Sequence, residues 1–169
     1  MAAVTDIGGG RGRAVLMCLS GLDIAQFVER AAPHIPTDRP LILLYVIDTR
    51  PVEELGYLAQ RLHAAPGALA GREDVMLAAE QQTADEVLAE AQARLAQLGY
   101  SQNNIHRLVL KGRPEREIVN VVERRPDIGL VVIGAGYKRG PHPLTGPASI
   151  GHVARFVVDH CPCDLLLLK

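Results

Sequence analysis

A loop rich in glycine and proline is the part of this sequence with the clearest chemical potential. It separates the apolar run that ends near Gly134 from a helical pattern that begins near Gly151. Glycine-rich loops between a strand and a helix commonly hold phosphate, because bare backbone amides approach it closely and the helix N-terminus adds further donors. The sequence therefore raises the question of whether this loop binds a nucleotide.

Histidine and cysteine side chains are concentrated near the C-terminus, and such groups bind zinc. They are His142, His152, His160, Cys161 and Cys163. A Cys-x-Cys pair with Pro162 between its members is poorly suited to chelate one ion, so we predict no metal site. No Ser-His-Asp or Cys-His set has a recognisable spacing, so we predict no catalytic residues.

Short apolar runs alternate with amphipathic helical patterns along the chain. The runs are 14–19, 40–48, 105–112, 128–136 and 164–169. Continuous apolar runs of this length are typical of strands buried on both faces, and their alternation with helices predicts an α/β fold. We therefore expect an open five-stranded parallel sheet with helices on both faces.

One domain accounts for almost the whole chain. Three consecutive glycines predict a flexible tail over residues 1–13, followed by a single domain over 14–169. Residues 49–83 are too long for a plain connection and are interpreted as an insertion, partly helical over about 52–64. An amphipathic helix is expected over 84–100, with Val87, Leu88, Ala91, Leu95 and Leu98 on one side and Gly99 at its C-terminal cap.

Composition argues against several classes of partner. The net charge is −1 and only 4% of residues are aromatic, which disfavours nucleic-acid binding. No window has the length and apolarity of a membrane span, and the N-terminus lacks the apolar core of a signal peptide. Three cysteines without a framework spacing are typical of a reducing compartment, so a cytoplasmic location is expected.

Three segments together resemble the universal stress proteins, a branch of the adenine-nucleotide-binding α/β superfamily. The segments are "LILLYVID", "KGRPEREIVNVVERRPDIGLVVIGAG" and "GHVARFVVDHCPCDLLLL". They stand in the family's order and on its element types, and the likeness extends from about Ala14 to Lys169. The resemblance implies the strand order 3-2-1-4-5.

Nucleotide-binding members of this family carry Gly-x-x-Gly, nine residues and then Gly-Ser/Thr, with an Asp ending strand 1 and a Val on strand 2. By resemblance, three positions match, namely Val46, Gly134 and Gly151. Three positions depart, because Ser20 replaces the Asp, Tyr137 replaces the second glycine and His152 replaces the Ser/Thr. Thirteen residues separate Tyr137 from Gly151 instead of nine.

Two other phosphate patterns fit less well. A register through Gly136, Gly140 and Gly146 does not have the family's spacing either. The segment "SGLDIAQ" has a slight likeness to the phosphate loop of the ATP pyrophosphatases, but a glycine is missing and Ala25 replaces its last serine. We interpret this segment as a strand-to-helix turn with Ser20 or Asp23 near the N-cap.

The sequence thus predicts a non-enzymatic stress-response or regulatory module with weak or absent ATP binding and no cofactor. The first alternative is an ATP or AMP binder with a remodelled loop, and the second is a nucleotide-hydrolysing enzyme of the same superfamily. If nucleotide binds, the expected contacts are Ser20, Val46, Gly134, Gly140, Gly151 and His152.

The last apolar run predicts how the chain associates. It comprises Asp164, Leu165, Leu166, Leu167 and Leu168, which form the edge strand in the order implied by resemblance. An apolar edge with unpaired backbone groups favours pairing with a second copy, as family dimers commonly do. We expect a homodimer through this strand and a protein partner that the sequence does not identify.

Overall fold

The structure is a computed structural model and describes residues 14–20, 23–61, 70–136 and 150–169. Its sheet contains strands β1 (Ala14–Leu19), β2 (Leu41–Asp48), β3 (Ile105–Gly112), β4 (Ile128–Gly134) and β5 (Asp164–Leu168). The strands are all parallel and lie in the order β3-β2-β1-β4-β5. Both the predicted fold class and the predicted strand order are confirmed.

Five helices accompany the strands in the described part of the chain. They are α1 (Ile24–Ala31), α2 (Arg50–Arg61), α3 (Ala70–Gln97), α4 (Pro114–Arg124) and α5 (His152–His160). Helices α1 and α3 pack on one face of the sheet, and α4 and α5 pack on the other. This two-sided cover is what buries every residue of β1.

Alternation along β1 divides the core into two layers. Val15, Met17 and Leu19 face α1 and α3, whereas Leu16 and Cys18 face α4 and α5. All five are buried, since β1 is the central strand and lies between β2 and β4. The prediction that Cys18 belongs to the core is confirmed.

Local signals begin and end the helices as their chemistry predicts. The Asp23 carboxylate accepts a hydrogen bond from the Gln26 amide over 3.0 Å and caps α1. Pro114 occupies the first turn of α4, where its missing N–H costs nothing. Gly99 has a φ of 91° beyond α3, and the Tyr100 amide returns to the Leu95 carbonyl over 3.1 Å. The predicted glycine cap is therefore confirmed.

The segment interpreted as an insertion contains a helix, α2, where one was expected, but the helix that follows it starts earlier than predicted. Helix α3 begins at Ala70, whereas the sequence pattern placed its start at Ala84. The apolar residues of these extra turns are mostly contiguous, as "VMLAA" over 75–79, rather than spaced at helical intervals, so periodicity did not detect them. Residues 1–13 and 62–69, to which the flexible tail and part of the insertion were assigned, lie outside the described residues.

Two burial predictions were wrong. Leu98 is 41% exposed because it follows the last residue of α3, where the chain turns away from the apolar side. The leucines of β5 are half-buried rather than fully buried, because an edge strand has a neighbouring strand on one side only. In the described residues, no helix is long and apolar enough to cross a membrane.

Candidate functional site

A cleft of about 610 Å³ opens at the carboxyl ends of the central strands. Its walls come from the ends of β1, β2 and β4, the first residues of α4 and α5, and Arg50 at the start of α2. The chain order reverses between β1 and β4, and α/β sheets bind ligands at such a switch point. The sheet topology therefore creates this cleft.

Residues that the sequence pattern assigned to a nucleotide site meet at this cleft. Ser20, Val46, Gly134, Gly151 and His152 all line it, although they come from four different elements or their ends. Gly140, the remaining predicted contact, lies outside the described residues, as do Tyr137 and Gly146. The structure therefore brings the described residues of the predicted set to one cleft. Their role in nucleotide binding stays a prediction.

The Gly151 amide is already engaged. It donates to the Ala135 carbonyl oxygen over 2.7 Å, so it is not free to meet a phosphate in this conformation. Gly151 has a φ of −61° and a ψ of 157°, which any residue adopts. A Cβ there would lie 3.7 Å from the Gly136 Cα, an ordinary contact. Glycine is thus not required at this position by backbone strain.

Asp48 and Arg50 form a two-pronged ion pair at the mouth of the cleft. Arg50 Nε donates to Asp48 Oδ1 over 2.9 Å, and Nη2 donates to Oδ2 over 2.6 Å. Partial burial would raise the pKa of Asp48, but the hydrogen bonds from Arg50 outweigh it and hold that pKa below its usual value. The positive charge of Arg50 is therefore largely balanced before any ligand arrives.

His152 and Glu115 extend this pair into a network of four charged or titratable groups. Arg50 Nη1 lies 3.0 Å from His152 Nε2 and 3.9 Å from Glu115 Oε1. Glu115 Oε2 is 3.6 Å from His152 Nε2 and is a buried oxygen without a hydrogen-bond partner among the described residues. A neutral His152 accepts from Arg50 through Nε2, whereas a protonated one would donate to Glu115.

Sequence reasoning missed Asp48, Arg50 and Glu115. Asp48 ends β2 and Glu115 opens α4, and both places are at the carboxyl edge where parallel sheets gather functional groups. That placement was an available signal for Asp48 and Glu115. No sequence signal identifies Arg50, because its contact with His152 spans 102 positions of the chain.

The remaining histidine and cysteine residues do not converge on one point. His160 stacks on Phe156, with ring centroids 4.0 Å apart, and its Nδ1 lies 2.9 Å from the Phe156 carbonyl oxygen. Cys161 and Cys163 contact each other. No group of three or more metal-ligating side chains occurs within the described ranges, and His142 lies outside them.

The topology and the cleft define an open, doubly wound α/β domain with a charged network at the switch point of its sheet, where such domains bind ligands. A sequence model of the universal stress protein family matches residues 13–169. The chain therefore belongs to the universal stress protein family.

Solved structures of other proteins have the same fold. Universal stress protein UspA from Lactobacillus plantarum is 24% identical with a TM-score of 0.71, and the match covers 95% of this chain and 100% of that one. Hypothetical protein MJ0577 is 17% identical with a TM-score of 0.68, covering 95% and 97%. A universal stress protein in complex with cAMP is 18% identical with a TM-score of 0.56, covering 95% and 98%. At these identities the likeness concerns the fold alone.

Proposed function

We propose that this chain is a non-enzymatic regulatory member of its family whose cleft binds ATP weakly or not at all. The network at the cleft mouth is the observation that supports the proposal. Two carboxylates, Asp48 and Glu115, stand beside the start of α5, and Asp48 already balances Arg50. A polyphosphate that approaches α5 would meet the Glu115 carboxylate, whose Oε2 has no hydrogen-bond partner among the described residues, and would have to displace Asp48 from Arg50.

The positions that depart from the binding pattern support the same proposal. His152 occupies the first position of α5 in place of a hydroxyl residue, and it is in contact with Arg50. Ser20 at the end of β1 lines the cleft without the carboxylate that would meet the base or ribose. Both differences remove interactions that a nucleotide would otherwise gain.

Calorimetry with Mg-ATP tests the proposal directly. We expect no saturation below millimolar ATP, in the presence of ordinary salt and at neutral pH. Micromolar affinity would contradict the proposal and would favour the first alternative. Release of inorganic phosphate from ATP, abolished by a cleft variant, would instead support the second alternative, a nucleotide-hydrolysing enzyme.

A smaller adenine ligand is the second candidate, because the cleft itself is well formed. It has the volume of a small-molecule site, and most of its lining is apolar. A monophosphate carries fewer charges past Glu115 than a triphosphate does. One protein of the same fold is in complex with cAMP. Titration with AMP, cAMP and adenosine in parallel distinguishes this candidate, since it requires tighter binding of one of them than of ATP.

A homodimer through β5 completes the proposal. Among the described residues β5 pairs only with β4, so its other edge offers backbone groups to a second strand. Leu165 and Leu167 pack toward one face of the sheet, and Leu166 and Leu168 toward the other. Pairing of two β5 strands about a two-fold axis would bury all four more deeply. A cytoplasmic location is part of the same proposal.

Light scattering tests the dimer. We expect a dimer at tens of micromolar and a monomer after Leu166→Glu, because a charge on the paired strand would be desolvated. Lys111→Glu, on the other edge strand, is the matched control and should stay dimeric. A monomeric wild-type protein would contradict the dimer without bearing on the ATP proposal.

A further inference from the structure

Two thiols are in contact on the α4 and α5 face of the sheet, apart from the charged network. Cys161 Sγ and Cys163 Sγ are 3.5 Å apart, and both residues are half-buried. We propose that Cys161 and Cys163 are a reversible redox site, at which a low-molecular-weight disulfide oxidises the pair to an intramolecular disulfide. This inference does not depend on whether the cleft binds a nucleotide.

The main chain holds both cysteines in place. The Cys161 amide donates to the Val157 carbonyl over 2.8 Å at the end of α5, and β5 begins at Asp164. Only Pro162 separates the two cysteines, and its ring restricts φ. A disulfide bond is about 2.0 Å long, so the sulfurs must approach by roughly 1.5 Å. Side-chain rotation supplies most of this movement because the sulfurs already face each other.

The surroundings assign different roles to the two sulfurs. Burial raises the pKa of Cys163 to about 12, and the adjacent Cys161 adds to the effect. The Cys163 thiol also donates to the Asp164 carbonyl oxygen over 3.6 Å, a contact that favours its protonated form, so we assign Cys161 as the sulfur that attacks. Cys18 lies on the same face, but burial raises its pKa strongly and it is only 7% exposed. Cys18 is therefore an unreactive third thiol.

The reaction proceeds in two balanced exchanges. The Cys161 thiolate attacks one sulfur of an oxidised small thiol such as glutathione disulfide, which forms a mixed disulfide and releases one small thiolate. Cys163 then loses its proton to water or to that thiolate, attacks Cys161 Sγ and expels the second small thiol. Two protein thiols are oxidised by two electrons, and one small disulfide is reduced to two thiols.

The disulfide is expected to be easily reduced. A bridge between positions separated by one residue closes a very short loop, so it constrains the unfolded chain little. The fixed ends of α5 and β5 add strain, and strained disulfides are the labile and regulatory ones. Because the pair directly precedes β5, closure would also alter how the edge strand begins. These properties are those of a switch rather than of a structural cross-link.

Intact mass spectrometry of the full chain, without reductant, is the test. After incubation with excess glutathione disulfide we expect a monomer lighter by two hydrogen atoms, with the bond mapped to the peptide containing both cysteines and reversed by dithiothreitol. Cys18→Ala should close the same bond, because Cys18 takes no part. Cys163→Ser should instead accumulate one glutathione on Cys161, since the resolving thiol is absent.

Several results would overturn the proposal. These are no loss of hydrogen in the wild-type protein, a stable glutathione on each of the two cysteines, a disulfide between chains, and loss of closure in Cys18→Ala. If Cys163→Ser does not fold, Cys161→Ser provides the second arm. It should acquire no glutathione at Cys163, because burial and the contact with the Asp164 carbonyl oxygen still favour the thiol there when Cys161 is replaced. Modification of Cys163 in that variant would contradict the assigned roles.

Discussion

Two arginine–aspartate pairs with the same spacing lie at opposite ends of the sheet and differ in how far they are exposed to solvent. Asp48 and Arg50 follow β2 at the carboxyl end, whereas Arg125 and Asp127 precede β4 at the amino end. Their shortest contacts are alike, at 2.6 and 2.5 Å. Their side chains differ in exposure, at 32% and 33% in the first pair and 9% and 18% in the second.

The groups around the two arginine–aspartate pairs also differ. Around the amino-end pair, the Ile128 amide donates to the Arg125 carbonyl and the Ala14 amide donates to the Asp127 carbonyl, so the main chain closes around it. The carboxyl-end pair instead contacts His152 and Glu115 Oε1, and the other Glu115 oxygen, Oε2, has no hydrogen-bond partner among the described residues. The comparison predicts that the enclosed pair contributes more to stability than the open pair, which lies at the candidate site.

The largest expected effect comes from removing the two carboxylates in parallel. Asp127→Asn leaves the buried Arg125 charge without its partner and should lower the free energy of unfolding by roughly 2–3 kcal/mol. Asp48→Asn, the matched variant, should cost less than about 1 kcal/mol because its pair is open to solvent. Urea unfolding measures both, and equal losses would refute the distinction.

Acid should remove the stabilisation that Asp127 contributes. Side-chain hydrogen bonds from Arg125 outweigh partial burial and lower the pKa of Asp127. A carboxyl whose pKa is lower in the folded state stabilises the protein above its unfolded pKa of about 3.9, and this stabilisation is lost as pH falls through the folded value. The stability gap between wild type and Asp127→Asn should therefore be full at pH 6 and shrink below about pH 4. A gap that widens on acidification would be incompatible with this sign.

Two glycines with positive φ, one near each end of β3, allow a second comparison of the two ends of the sheet. Gly112, at the carboxyl end of β3, has a φ of 149°, and a Cβ there would lie 3.0 Å from Glu117 Cγ. Gly99, before the amino end of β3, has a φ of 91° and open space around it. Gly112→Ala should cost about 2 kcal/mol and Gly99→Ala about 1 kcal/mol in thermal unfolding. A larger loss of stability in Gly99→Ala than in Gly112→Ala would show that the Glu117 side chain moves away from the new Cβ at no cost.

The last prediction concerns ligand affinity at the carboxyl end of the sheet and compares two ligands rather than two folding free energies. Glu115→Gln removes the carboxylate beside His152 and should tighten binding of AMP relative to adenosine about tenfold, or about 1.4 kcal/mol. Glu123→Gln, an exposed position on the same helix, is the control and should change neither affinity. If Glu115→Gln leaves the ratio of the AMP affinity to the adenosine affinity unchanged, the Glu115 charge does not act on the bound ligand.

Elements set by local chemistry were predictable from the sequence. The sequence pattern identified all five strands, with ends within two residues, because buried strands leave a continuous apolar run and a partly exposed strand such as β3 leaves a partly alternating one. The caps at Asp23 and Gly99 were also recognised, because a cap depends on only a few adjacent residues. The start of α3 at Ala70 was not, because the apolar residues near that end of the helix are mostly contiguous rather than spaced at helical intervals.

The residues of the candidate site were predictable in part, whereas the contacts between them were not. Resemblance placed Ser20, Val46, Gly134, Gly151 and His152 at one site, and they do line one cleft. It did not indicate that the Gly151 amide is occupied by Ala135, nor that Glu115 approaches His152. These contacts depend on how α4 and α5 pack over the sheet, which motif spacing does not encode.

The sequence by itself determined the α/β alternation, the family and the residue types that stand at each strand end, because these follow from hydrophobic periodicity and short motifs. Only the tertiary structure decided that Arg50 and His152, 102 positions apart, share a hydrogen bond. Parallel crossovers bring every strand's carboxyl end to one edge, so residues distant along the chain become neighbours there. Their burial and spacing at that edge, rather than their identities, set which charges are balanced and which oxygen is left without a partner.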